Sequence, residues 1–162
     1  MTTSKVPAII DYLVTTFTAA STLGAATPPV VVYDGPQTTA ASTPLVLWVG
    51  LDDPDTDQVA PSAAAAQQEW AGLGKQARNE ISTIHCVAEA WTGSAQPGDM
   101  SAMRIAAFAI VAAVEDIVRT DPFSGLALFP DPGVTGLELR QNNTTAGSQA
   151  RVSFQIAFKS RL

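Results

Sequence analysis

Apolar and polar residues alternate in two long stretches of this chain and recur at helical spacing in two others. Between Arg78 and Trp91 the period is two. Ile81, Thr83, His85, Val87, Glu89 and Trp91 share one face of a strand, and Glu80, Ser82, Ile84, Cys86, Ala88 and Ala90 share the other. At about 14 residues this strand is well beyond the usual length of ~5–6. Neither face is wholly polar or wholly apolar. One is expected against a helix, and the other, semi-polar, suits a surface that meets a partner. Arg151 to about Ser160 alternates more cleanly, with Val152, Phe154, Ile156 and Phe158 toward the core and Arg151, Ser153, Gln155 and Lys159 outward.

The helical stretches flank these strands. Val6, Ile9, Ile10, Leu13 and Phe17 predict a helix from about Lys5 to Ala20, with Ser4 as N-cap and Pro7 in the first turn, where a missing N–H costs nothing. Met100, Met103, Ala107, Ile110, Val114, Ile117 and Val118 form one apolar stripe of a second helix, with Asp99 at its cap and Pro122 stopping it. Val30–Tyr33 reads as a strand closed by the turn Asp34-Gly35-Pro36. Pro44–Leu51 is apolar on both faces, as a strand covered on both sides would be, and Gly136–Gln141 reads as a further strand. Asn142 to Gly147 reads as a turn. Asp52 to about Ala77 reads as one long connection, a length uncommon inside a domain. The expected architecture is α+β: a mostly antiparallel or mixed sheet of about five strands with two helices on one face. Residues 1–162 are expected to form a single domain with an inserted loop at about 52–77.

Composition narrows the function. The chain has 162 residues, 15% of them charged and 46% hydrophobic, with a mean hydropathy of +0.16. That charge is low against the ~25% usual in soluble domains, so part of the surface is expected to be buried against other subunits. The net charge is −6. Sequence-independent nucleic-acid binding needs clustered Lys and Arg, and the nine basic residues here are scattered. An acidic wall still suits a passage through which DNA slides without sticking. The single Cys excludes an internal disulfide and a multi-cysteine zinc site. Lys5 and the apolar run after it resemble a signal peptide, but Asp11 and Pro7 interrupt the run and an amphipathic helix explains it better. No run is long and apolar enough to span a membrane.

No catalytic constellation emerges. The only His and the only Cys, His85 and Cys86, are consecutive on a strand and face apart, so they cannot form a thiolate–imidazole pair. No G-x-S-x-G elbow accompanies His85. Asp53, Asp55 and Asp57 have the alternate spacing of a calcium loop, but Gln58 stands where Gly is needed and Ala64 where Glu is needed. They remain a weak metal candidate, and a solvated acidic turn is the simpler reading. Gly72-Leu73-Gly74-Lys75 lacks the phosphate-loop spacing, with Gln76 where Ser or Thr would hold magnesium. No cofactor is expected. Trp48 is expected in the core, whereas Trp70 must find cover in its own domain or on a neighbouring chain.

Several motifs together resemble a family. They are W-x-G-L-G-x-x-A-R-x-E-x-x-x-I-x-C at Trp70 to Cys86, Trp91-Thr92-Gly93, the VYDGP run around Tyr33, LWVGLDDPD at Leu47 to Asp55, and A-M-R-x-x-A-F-x-I-V-A-A-V-E-D-I-V-R-x-D-P at Ala102 to Pro122. They resemble the tail terminator, or tail completion, proteins of long-tailed (siphovirus-type) phages of actinobacteria, over about residues 5 to 160. The resemblance implies a non-enzymatic virion protein at the tail–head junction, assembled in the host cytoplasm. It implies a homohexameric ring that caps the head-proximal end of the tail tube, stops its polymerisation and meets the head-completion or connector protein. It also implies that DNA passes through the lumen without specific binding, with no membrane involved. Another head–tail joining subunit or a tail tube subunit is the nearest alternative. A small-ligand binding module or cryptic enzyme is the alternative of a different class. The segment from Trp70 to Trp91 is then expected to build contacts between subunits, with Trp70, Arg78, Glu80, Glu89 and Trp91 as the candidate contact residues.

Overall fold

The computed structural model describes residues 3–37, 42–52, 60–72, 77–121 and 133–162. Helix α1 (Val6–Ala19) is followed by the single turn α2 (Ser21–Gly24) and strands β1 (Val31–Asp34), β2 (Leu45–Val49), β3 (Ala64–Trp70) and β4 (Arg78–Thr92). Helix α3 (Asp99–Thr120) then leads to β5 (Gly133–Thr144) and β6 (Gly147–Arg161). The six strands form one sheet in the order β1-β2-β4-β6-β5, with β3 beside β4 off that path. Every pairing is antiparallel except β1 with β2. The α+β class with a mixed sheet and helices packed against it is therefore the architecture of the chain.

Strand β4 is the spine. One edge carries β6 along Asn79 to Thr92. The other edge is shared: β3 covers Arg78–Ile84 and β2 covers Cys86–Ala90. His85 sits at the seam between them. Its amide donates to Ala63 O at 3.0 Å, and its carbonyl accepts the amides of Gly50 and Leu51 at 2.8 and 3.0 Å. The chain thus leaves β4 at Gly50 and rejoins it at Ala63 without leaving the His85 backbone groups unpaired. Gly50 makes this exit at a φ of +79°, where a side chain would strain the backbone.

The alternation read from β4 assigns its faces. Glu80, Ser82, Ile84, Cys86, Ala88 and Ala90 lie under the helices, all of them buried. Ile9, Leu13 and Phe17 of α1 and Ile110, Val114 and Val118 of α3 close this core over β4 and over Val152, Phe154, Ile156 and Phe158 of β6. The opposite face carries a smaller apolar cluster of Val46, Trp48, Leu51 and Val87, with Tyr33 packed against it. The rings of Tyr33 and Trp48 stack with centroids 6.3 Å apart. Trp48 is thus a core residue as expected, but in this second cluster and not beneath the helices.

Three expectations need correction. The connection 52–77 is not all loop, because Ala64–Trp70 forms β3. Its alanines and glutamines have little strand propensity and no apolar alternation, and the strand is held by backbone pairing to β4. Strand β5 runs well beyond Gly136–Gln141. Its polar end, Asn142 and Asn143, reads as turn chemistry but pairs with Gln149 and Ser148. Asp99 does not cap α3. Gly98 holds the cap position at a φ of 98°, and the Asp99 carboxylate accepts the Gln96 amide at 2.7 Å.

Cys86 is fully buried on the helix side, and burial pushes its thiol up to about 12 against a smaller opposing effect of the Gly50 amide. Only about one part in 10⁵ is then thiolate at neutral pH. Thiol-directed reagents are expected to leave native Cys86 unmodified and to react fully in denaturant. Fast labelling of the native chain would show that the core opens here.

Candidate assembly interface

Among the described residues, three strands pair on one side only: β1, β3 and β5. Unpaired strand edges are templates for further pairing, so folds either blunt them or use them. β1 is blunted. It spans Val31–Asp34, between Pro28-Pro29 and Gly35-Pro36. β3 and β5 are not. No Pro interrupts Ala64–Trp70 or Gly133–Thr144, and most of their residues are exposed. β3 and β5 lie on opposite sides of the β4–β6 pair. Antiparallel pairing throughout makes β3 and β6 run one way and β4 and β5 the other. The β5 edge of one copy would therefore meet the β3 edge of another in the antiparallel sense that continues the sheet.

The register decides which residues decorate this sheet. On the side away from the helices, Glu69, Asn79 and Arg161 form one row and Gln67, Ile81 and Lys159 the next. Thr83, His85, Gln155 and Thr135 follow. The charges further along are paired: Arg151 Nε lies 2.6 Å from Glu89 Oε2, and Arg140 Nε lies 3.1 Å from Glu138 Oε1. His85 Nδ1 lies 3.3 Å from Asp52 Oδ1, without the alignment of a hydrogen bond. His85 and Cys86 do face apart, so the structure does not assemble a nucleophile with a base at this pair.

The five contact candidates separate. Trp70 is 71% exposed at the end of β3, with the Arg78 guanidinium 5.7 Å from its ring centre, a cation–π contact. Arg78 also donates to Gln68 Oε1 at 2.9 Å. These two sit together at a free edge and have surface to offer. Glu80 does not, because its carboxylate is fully buried and bonded within the chain. Glu89 is committed to Arg151, and Trp91 donates from its indole to Thr43 O at 2.9 Å. Alternation located all five on β4 and its approach, but it could not tell which face the helices would cover. Sequence reasoning also passed over exposed apolar residues. Ile105 is 68% exposed and Leu137 55%, with Phe108 and Leu139 less so. Ile105 and Phe108 fall off the apolar stripe of α3, which was the available signal.

Asp53, Asp55 and Asp57 lie outside the described residues. Among the described residues no group of three or more His, Cys, Asp or Glu side chains is placed to hold a metal ion. No described helix is long and apolar enough to cross a membrane.

No protein-family model matches the sequence, and no curated protein matches it. Among solved structures, a chain from the virion of a native gene transfer agent particle is similar, with a TM-score of 0.48 and 13% identity. The match covers 98% of this chain and 100% of that one.

Proposed function

We propose that this chain is a structural ring subunit of a phage particle, of the tail-terminator class. Copies join edge to edge around an axis, β5 of one against β3 of the next, in a heterologous interface that closes on itself, with six copies. The observation that carries this reading is the pair of edges on opposite sides of the sheet, β3 and the regular stretch of β5 from Glu138 to Thr144, matched in strand sense. It agrees with the family resemblance of the sequence. Closure removes both edges at once. The helices cover one face only, so a closed sheet places that bulkier layer at larger radius and turns the open face inward. On the inward face Glu89 pairs with Arg151 and Glu138 with Arg140, and Glu69, Lys159 and Arg161 lie toward its other end. With a net charge of −6, such a ring would let DNA pass without holding it. It would cap the tail tube, stop its growth and meet the head-completion protein.

Edge-to-edge closure would equally serve a tail tube subunit, and the phenotype separates the two. Removing the gene from its phage is expected to give overlong, headless tail tubes, visible by electron microscopy. Tubes of normal length would contradict the terminator reading.

Trp70 tests the edge directly. Trp70→Ala is expected to weaken assembly by about 2 kcal/mol per contact, about thirtyfold, as loss of a central aromatic anchor does. The isolated subunit should keep its thermal midpoint, because the ring is mostly exposed there. An early-melting monomer whose rings survive would make Trp70 a residue of the subunit's own fold.

A further inference from the structure

One buried carboxylate joins segments that are distant in the chain. Glu80 lies fully buried on the helix side of β4, near the end where β3 and the N-terminal segment meet. Its Oε1 accepts the Lys5 amide at 2.8 Å and the Ser160 hydroxyl at 3.3 Å. Its Oε2 accepts the side-chain amide of Gln68 at 2.9 Å. That same Gln68 nitrogen donates to Thr3 O at 2.6 Å, and Gln68 Oε1 accepts from Arg78. The Arg78 guanidinium in turn lies over Trp70. A continuous path therefore runs from residues 3–5 through Glu80 and Gln68 to the exposed end of β3.

The three contacts made to Glu80 itself, from Lys5, Gln68 and Ser160, each present a donor. That set suits a carboxylate, because the Lys5 amide and the Gln68 side-chain nitrogen can only donate, and a carboxyl proton would oppose one of them. Burial pushes the Glu80 carboxyl up. The Lys5 amide, then Gln68, Ser4 and Ser160, outweigh it and hold the group below its ordinary value of 4.5. The ionised groups on this side are few. Arg78 shares the face on β4, and Lys5 belongs to the docked segment. On β3 this face carries Ala64, Ala66, Gln68 and Trp70, and on β6 Phe158 and Ser160, none of them charged. Asp11 on α1 is exposed, and Glu69, Lys159 and Arg161 are on the opposite face of the sheet.

We propose that Glu80 is a proton-operated latch, which ties the N-terminal segment to β3 and, on protonation, frees that segment and loosens the backbone pairing of β3 while the β4–β6 ladder stays closed. The sign follows from the lowered carboxyl. The latch is fully closed above the ordinary glutamate range and opens as pH falls through the lower value of the folded state. Nothing in this depends on the ring.

Hydrogen exchange of the full chain, followed by mass spectrometry from about pH 7 to about pH 3 and corrected for intrinsic exchange, tests it. Residues 3–9 and 64–70 are expected to lose about tenfold or more in protection in acid, the scale of a lost hydrogen bond to a charged group. Residues 148–158 should hold their protection over the same interval. In Glu80→Gln the two segments should exchange about tenfold faster already at neutral pH, and the acid step should vanish. Protection of 3–9 that is flat across the range, or lost together with 148–158, overturns the latch. So does a Glu80→Gln chain that keeps the wild-type protection and step. If that variant does not fold, the wild-type titration decides alone.

Discussion

Gly147→Ala is expected to destabilise the chain by about 3 kcal/mol, the upper end of what local backbone strain costs. A Cβ at Gly147 would stand 1.9 Å from the backbone oxygen of Thr92 and 3.0 Å from Gly93 Cα, at a φ of +136°. Neither neighbour is the yielding end of a flexible side chain. The end of β4 and the start of β6 would have to separate where Thr92 pairs with Ser148. In a chain of this size about 3 kcal/mol lowers the thermal midpoint by roughly 6–12 °C. Gly24→Ala is the control: its added Cβ meets nothing within 4 Å, and the change should stay within about 0.5 kcal/mol. Equal midpoints for the two variants would mean that Gly147 does not lie against Thr92.

Glu89→Ala is expected to cost about as much, roughly 3 kcal/mol, the low end of the cost of breaking a buried ion pair by removing one partner, since Arg151 is only partly buried. The side chains of Arg151 and Glu89 are 17% and 7% exposed and their contact is 2.6 Å. Removing Glu89 leaves the guanidinium without its carboxylate in a setting that solvates it poorly. The double variant Glu89→Leu with Arg151→Leu should recover part of the loss, because the guanidinium is removed together with the carboxylate it pairs with. Urea unfolding of the three chains checks this. A double variant that costs the sum of the single changes would show that the two residues act independently. Because Glu89 and Arg151 sit on the open face of adjacent strands, this pair also holds in register the surface that would line the ring.

Much of this architecture could be read before any coordinates. The strict alternation of Val152 to Phe158 and the stripe from Ala107 to Val118 placed the core, and the period of two separated His85 from Cys86. What stayed hidden has physical causes. β3 is made of Ala64, Ala65, Ala66, Gln67 and Gln68, whose side chains express no strand pattern. It exists because β4 is longer than β2 and offers a free stretch of edge. Glu80 and Glu89 occupy positions where alternation gives a face but no environment. Glu80 meets Lys5, 75 residues away in sequence, and Glu89 meets Arg151, 62 away. Partners so remote leave no local signature, so both carboxylates read as surface charges. Trp70 is exposed and Arg78 half-buried beside it, Glu80, Glu89 and Trp91 are bonded within the chain, and of β5 the stretch Gly136–Gln141 reads as a strand while Asn142 and Asn143 read as a turn.

In the proposed assembly, copies of this chain close into a ring through the β3 and β5 edges. Native mass spectrometry of the full-length chain, across a concentration series, tests it most directly. The predicted result is a discrete six-subunit assembly, alone or as stacked rings, that falls toward monomer in Trp70→Ala. A wild-type chain that stays strictly monomeric at the highest concentration would contradict it.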